Sequence, residues 1–148
     1  MKIGISNDHA AVELKNEIMN HLTKKGYEVV NYGTDSNELY DYPKAAELLC
    51  NGILKGEVQY GIAICGTGVG ISIACNKFKG IRACCCSESV SAGLSREHNN
   101  ANVICFGARI IGLNTALDIV NTFLNTEFSC GERHINRVNL IKEIEDKQ

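Results

Sequence analysis

Short apolar runs alternate with longer amphipathic stretches along the chain. Lys2–Ser6, Glu28–Tyr32, Tyr60–Cys65, Arg82–Cys86 and Asn102–Gly107 are rich in Ile, Val and Cys, with little polar alternation. That is the pattern of parallel strands covered on both faces. Between them, Leu14, Ile18 and Leu22 make one stripe at helical spacing, and Tyr42, Ala45, Ala46, Leu49 and Ile53 make a second. Leu113, Ala116, Leu117, Val120 and Phe123 make a third. Ser89–Asn99 and Gly70–Lys77 predict shorter helices, and a last helix is predicted from about Ile135 to 146, with no strand after it. Strand and helix alternating five times predict an α/β fold, a parallel sheet with helices on both faces and right-handed crossovers. Phe128–Arg133 and Asp35–Asp41 read as the loops freest to move.

No repeat, low-complexity stretch or linker interrupts the 148 residues, so one domain over 1–148 is expected. Fifteen Lys and Arg against seventeen Asp and Glu give a net charge of -2, with no clustered basic stripe. A nucleic-acid or acidic-membrane partner is therefore not expected. The uncharged stretch Tyr60–Asn76 carries four glycines and is shorter than the roughly 20 apolar residues of a spanning helix. Strand-like alternation already begins at Lys2-Ile3-Gly4-Ile5, so no signal peptide is expected and the chain reads as a soluble cytosolic domain. The eight cysteines include the consecutive Cys84-Cys85-Cys86, with no CxxC and no Cys/His pairing at zinc-finger spacing. Small buried residues in a reducing compartment account for most of them, and no metal site is expected.

In a parallel sheet the ligand sits outside the carboxyl ends of the strands. Gly66-Thr67-Gly68-Val69-Gly70 follows a strand and opens a helix there, so several backbone N–H groups can converge on one spot. Such a nest suits a phosphate or a developing oxyanion, whereas a plain tight turn would use the same glycines. A dinucleotide fingerprint fails because Ile71 stands where the last glycine belongs, and the same residue breaks a Cys-x5-Arg phosphatase loop. Cys65 immediately precedes the nest, where a thiolate can act as base or nucleophile or the thiol can simply pack. Asp8 and His9 end a strand at the same edge, with capping as the plainer role for Asp8. His98-Asn99 could be an ordinary polar helix end, and His21 reads as a surface residue. Arg133 and Arg137 share a helical face if the last helix starts early enough, either as a solvated surface or as a fork for phosphate. Arg109, just after the fifth strand, favours the fork.

Asn7-Asp8-His9, Asp41-Tyr42-Pro43, Ile64-Cys65-Gly66-Thr67-Gly68-Val69-Gly70, Ser95-Arg96-Glu97-His98-Asn99-Asn100-Ala101-Asn102, Phe106-Gly107-Ala108-Arg109 and Gly131-Glu132-Arg133-His134 with Arg137-Val138 together resemble the ribose-5-phosphate isomerase B family. The family includes allose-6-phosphate isomerases and galactose-6-phosphate isomerase subunits. The resemblance runs through nearly the whole chain and implies a three-layer α/β/α, Rossmann-like domain with a five-stranded parallel sheet. It also implies a homodimer or dimer of dimers, an active site between subunits reached by the C-terminal helix, and no cofactor. The implied reaction moves a proton between C1 and C2 of a sugar phosphate through an enediolate, as in the pentose phosphate pathway. Cys65 matches the base, the Gly66, Gly68 and Gly70 backbone the oxyanion donors, and Thr67 a proton relay between the two oxygens. Asp8 and His9 match sugar-binding residues, His98 a ring-opening residue and Asn99 a contact to the enediolate region. Arg109, Arg133 and Arg137 match a phosphate clamp, some of it from the neighbouring subunit.

Two positions depart from the family's usual pattern: Ala10-Ala11, where one glycine is common, and Lys44, where an acid often follows the Tyr-Pro pair. Base, nest and arginines in one chain favour a self-sufficient homomer. The expected substrate is ribose 5-phosphate. The alternatives are a six-carbon sugar phosphate, a non-catalytic sensor of sugar phosphates or nucleotides, and, more remotely, a nicotinamide-binding module.

Overall fold

The computed structural model describes residues 1–148. In chain order its elements are β1 (Lys2–Asn7), a single 3-10 turn (His9–Ala11), α1 (Val12–Lys24), β2 (Glu28–Asn31), α2 (Tyr42–Leu54), β3 (Tyr60–Cys65), α3 (Val69–Cys75), β4 (Ala83–Cys85), α4 (Ser89–Asn99), β5 (Val103–Gly107), α5 (Leu113–Asn125) and α6 (Glu132–Asp146). The strands form one parallel sheet in the order β2-β1-β3-β5-β4. From β1 the chain moves outward to β2 on one side and then to β3 on the other. The order therefore reverses between β1 and β3, where a crevice opens beyond the carboxyl ends.

Side-chain alternation divides the strands between two cores. Ile3, Ile5, Ile62, Ile64, Ile104 and Phe106 pack with α1, α4 and α5 on one face. Ala63, Cys65, Val103 and Cys105 pack with Leu49 and Cys50 of α2 and Ile71 and Cys75 of α3 on the other. Each fully buried Ile, Leu or Phe contributes about 1.5–3 kcal/mol, so the two layers together hold the sheet edge that carries the site. That alternation also points Cys65 toward α2 and α3.

Most element ends fall within a residue or two of expectation. The larger difference is α6, which begins at Glu132 rather than near Ile135. Gly131 caps it, its carbonyl accepting from His134 N (2.8 Å) and Ile135 N (2.9 Å), so Arg133 lies in the first helical turn. The consecutive cysteines are not uniformly packed: Cys86 is buried, Cys84 half-buried and Cys85 exposed, as strand alternation at a short edge strand requires. All eight cysteines are free. His21 is not a plain surface residue, because its Nε2 lies 3.0 Å from Asn121 Oδ1 and ties α1 to α5. Each of the two predicted loops makes a hydrogen bond to a neighbouring element, Ser129 N donating to Glu97 O (3.0 Å) and Asn31 Nδ2 to Asp35 Oδ1 (3.0 Å). No helix is long and apolar enough to cross a membrane.

Candidate active site

The crevice is stitched together by backbone hydrogen bonds between strand ends. Asp8 N donates to Ile64 O (3.1 Å), Ala108 N to Cys65 O (2.9 Å) and Arg109 N to Gly66 O (3.0 Å). Asp8, Cys65, Gly66 and Arg109 are thereby held at one edge of the sheet. Asp8 Oδ1 also accepts from Ala10 N (2.9 Å), the capping role, while its buried carboxylate lies beside the crevice. His9 Nδ1 lies 3.3 Å from both the nitrogen and the carbonyl oxygen of Tyr40.

The glycine-rich turn begins directly above Cys65. Gly68 has φ +80°, and a Cβ there would stand 2.6 Å from the Phe106 carbonyl carbon, so the position demands glycine on both counts. This conformation aims Gly68 N–H at the Cys65 sulfur, 3.1 Å away. Val69 N–H donates to Thr67 Oγ1 at 3.3 Å. Two amides of the predicted nest are thus engaged by its own side chains, Gly68 by the sulfur and Val69 by Thr67. Cys65 is only 4% exposed, at the bottom of the turn, while Thr67 is exposed above it. A Cβ on Gly66 would lie 3.3 Å from a guanidinium nitrogen of Arg109, which places that charge over the turn.

Tyr42 belongs to this group; the sequence places it in an apolar stripe and in the Asp41-Tyr42-Pro43 motif, with no role in the site. It opens α2, is 39% exposed, and its ring would be 2.8 Å from a Cβ on Gly70. An aromatic with a polar tip at the first turn of a helix, just before Pro43, was the available signal. Of the departing positions, Lys44 pairs with Asp41 (3.4 Å), Ala11 is buried in the core, and half-buried Ala10 donates its N–H to Asp8.

His98, Asn99, Arg133 and Arg137 are not in this crevice. Helix α4 runs back across the sheet and ends at its amino edge, where Arg82 Nε, just before β4, donates to Asn99 O (3.2 Å) and Asn100 O (2.9 Å). Asn100 closes the helix at φ +47°. Beneath this end lies buried Arg96, donating to Ala101 O (2.6 Å), Asn100 Oδ1 (2.9 Å), Tyr60 Oη (2.8 Å) and Thr126 O (3.3 Å). Its guanidinium also lies 4.5 Å from the centre of the Tyr60 ring.

The start of α6 packs on this second group. The His134 ring lies 4.3 Å from that of His98. Arg133 Nε donates to His134 Nε2 (3.2 Å), which leaves the proton on Nδ1 for Ser129 Oγ (2.7 Å). Burial, His98, Arg133 and Arg137 all push the His134 pKa below its ordinary value, so the ring is neutral near pH 7. His134 is a second residue to which sequence reading gave no role. The result is a compact cationic group at one end of the sheet, with the thiol and sugar-binding residues at the other. Within one chain Arg109 therefore lies at one edge of the sheet and Arg133 and Arg137 at the other.

A family model described as Ribose/Galactose Isomerase matches residues 3–141. Ribose-5-phosphate isomerase B of Escherichia coli (strain K12) is 50% identical over 147 residues, covering 99% of this chain and 98% of that protein. The structure of Clostridium thermocellum ribose-5-phosphate isomerase B superposes with a TM-score of 0.97 at 52% identity, covering 99% of both chains. That of Mycoplasma genitalium ribose-5-phosphate isomerase B with bound ribulose-5-phosphate gives 0.94 at 37% identity, covering 99% of this chain and 97% of the other. A strand-end thiol under a glycine turn and an arginine-histidine group at the far edge are thus carried on a fold shared from end to end, and the chain belongs to the ribose/galactose isomerase family.

Proposed function

We propose that this chain interconverts ribose 5-phosphate and ribulose 5-phosphate as a cytoplasmic enzyme of the pentose phosphate pathway. Its active site forms between the subunits of a homodimer or dimer of dimers. The observation that carries the chemistry is the Cys65 sulfur at the end of β3, with Gly68 N–H 3.1 Å from it. An N–H donor aimed at sulfur is the contact a thiolate needs. In the aldose-to-ketose direction Cys65 takes the C2 proton, the electron pair moves into an enediolate, and the same proton is returned to C1. Thr67 passes a proton between the two substrate oxygens. A thiolate is a weak base toward carbon, so remaining backbone N–H groups of Gly66 to Gly70 must lower the energy of the enediolate. Each such donor is worth about 3–4 kcal/mol. Asp8 and His9 bind the sugar, and Arg109 reaches it from over the turn.

His98, Asn99, Arg133 and Arg137 complete the site from the neighbouring subunit, His98 assisting ring opening and the arginines holding phosphate. Support for this comes from their position at the opposite sheet edge and from the exposed Leu140, Ile141 and Ile144 on α6, an apolar face that a second copy would cover. A panel of four-, five- and six-carbon sugar phosphates with coupled detection tests the assignment. The highest kcat/KM is expected for ribose 5-phosphate. A higher value for a six-carbon aldose phosphate would move the chain to that specificity, and binding without exchange of the C1/C2 proton into deuterated solvent would make it a sensor.

A further inference from the structure

The residue holding His9 is Tyr40, and Tyr40 sits on a loop with no regular structure between β2 and α2. Its peptide offers Nδ1 an N–H donor and a carbonyl acceptor at the same 3.3 Å, so it can hold the neutral or the protonated ring and leaves Nε2 as the unengaged nitrogen. The orientation of His9 is therefore only as good as the placement of this loop.

The loop is fastened at its root by a residue from the core. Lys15 of α1 is 0% exposed, and its Nζ donates to Thr34 O (2.9 Å) and to the Asp35 carboxylate. Asn7 Nδ2, next to Asp8 in sequence, donates to the same Thr34 carbonyl at 3.1 Å. Gly33 lies flat on Asn7, where a Cβ would meet the Asn7 backbone nitrogen at 2.5 Å. The ammonium beside it also holds the Asp35 carboxyl below the usual carboxylate range.

The side chain of Asp35 is 74% exposed, so a cation removed from water is matched to a carboxylate that largely remains in it. A buried ammonium is costly, and an apolar side chain of similar volume is often as stabilising or more so. The fold therefore gains little from charge at position 15, whereas the loop gains a buried cationic anchor at its root. We propose that Lys15 is a positioning residue for substrate binding, acting through Thr34–Asp35 and Tyr40 to set the His9 imidazole. This rests on the reading of His9 as a sugar-binding residue.

The test compares wild type, Lys15→Met, His9→Ala and the double variant for kcat and KM with ribose 5-phosphate, together with Tm. It also follows amide exchange at Tyr40 and the ring-nitrogen NMR shifts of His9. For Lys15→Met, KM should rise about tenfold, the effect of losing one well-placed hydrogen bond, with kcat within about threefold. Tm should be unchanged or higher, and the Tyr40 amide should exchange at least about tenfold faster. In the His9→Ala background the same change should move KM less than about twofold, because coupled residues are not additive. Asp35→Asn, a surface change that leaves the core intact, should raise KM in the same direction and decides the matter if Lys15→Met does not fold. Full additivity with His9→Ala, or a lowered Tm with KM unchanged, would overturn the proposal. If the wild type proves not to be an isomerase, only the functional reading falls. The His9 ring shifts and Tyr40 exchange then judge the anchor alone, and unchanged values in Lys15→Met would refute it.

Discussion

Two inactive variants of this protein should restore each other when their subunits mix. Along β5, Val103 pairs with Gly61 and Gly107 with Cys65, four residue steps or about 13 Å at 3.3 Å per residue. Cys65 lies at one end of that span and the α4 terminus carrying His98 and Asn99 at the other. Reacting groups must approach within about 3–3.5 Å, so one chain cannot bring both groups to one substrate. Cys65→Ala disables the thiol half, and Arg133→Ala/Arg137→Ala, two exposed positions, disables the cationic half. Each homomer should show a kcat/KM below about 1% of wild type, the thiol variant through kcat and the arginine variant mainly through KM. Random equimolar reassembly gives one to two to one dimers, and each mixed dimer holds one intact and one doubly disabled site. The mixture should therefore recover about a quarter of wild-type kcat/KM, as two-fold symmetry requires. The arginine variant differs in charge, so ion exchange can isolate the mixed dimer, and ketose formation at substrate well below the wild-type KM reads it at about half of wild type. An isolated mixed dimer no more active than its parents would refute the two-edge site.

Further expectations follow from single contacts. Cys65→Ala alone should lower kcat by at least about a hundredfold with far-UV circular dichroism unchanged, and full activity would remove Cys65 as the base. Gly68→Ala forces a side chain into positive φ against Phe106 and should cost about 1–3 kcal/mol by denaturant titration; a neutral result would contradict the geometry of the turn. Arg137→Ala should raise KM about tenfold or more for phosphorylated substrate with a smaller change in kcat, and an unchanged KM would count against the clamp. His134 has a depressed folded pKa, so the unfolded chain binds its proton first as pH falls. Its stability contribution is complete above the ordinary value of about 6.5 and is lost as pH drops through the lower folded value. Tm measured from pH 8 to 5 should decline over that interval, and His134→Gln should flatten the slope.

The sheet, its helices and the β3 turn were legible because each depends on local pattern. Tyr60–Cys65 is an unbroken apolar run, and the glycines after it admit few alternatives to a tight turn. The early start of α6 was missed because Gly131, its cap, resembles a loop residue until its carbonyl is seen accepting from His134 and Ile135. The separation of His98 from Cys65 could not be read from composition, since it follows from α4 running the length of the sheet in reverse. Lys15 hides for a related reason. A lysine between Leu14 and Ile18 reads as a solvated helix position, and only the fold turns it inward toward Thr34. Tyr42 falls at the helical spacing of Ala45, Ala46 and Leu49, but unlike them it is exposed and its ring lies beside Gly70, a contact that spacing alone does not reveal.

Arg96 joins four stretches of chain through one side chain: the opening of β3, the close of α4, the approach to β5 and the exit from α5. A segment held in this way is ordered before any partner arrives, so in the proposed assembly His98 and Asn99 would be presented to a neighbour already in shape. Assembly would then forfeit little disorder at that surface, and the encounter of two subunits would yield a working cleft without a slow rearrangement afterwards.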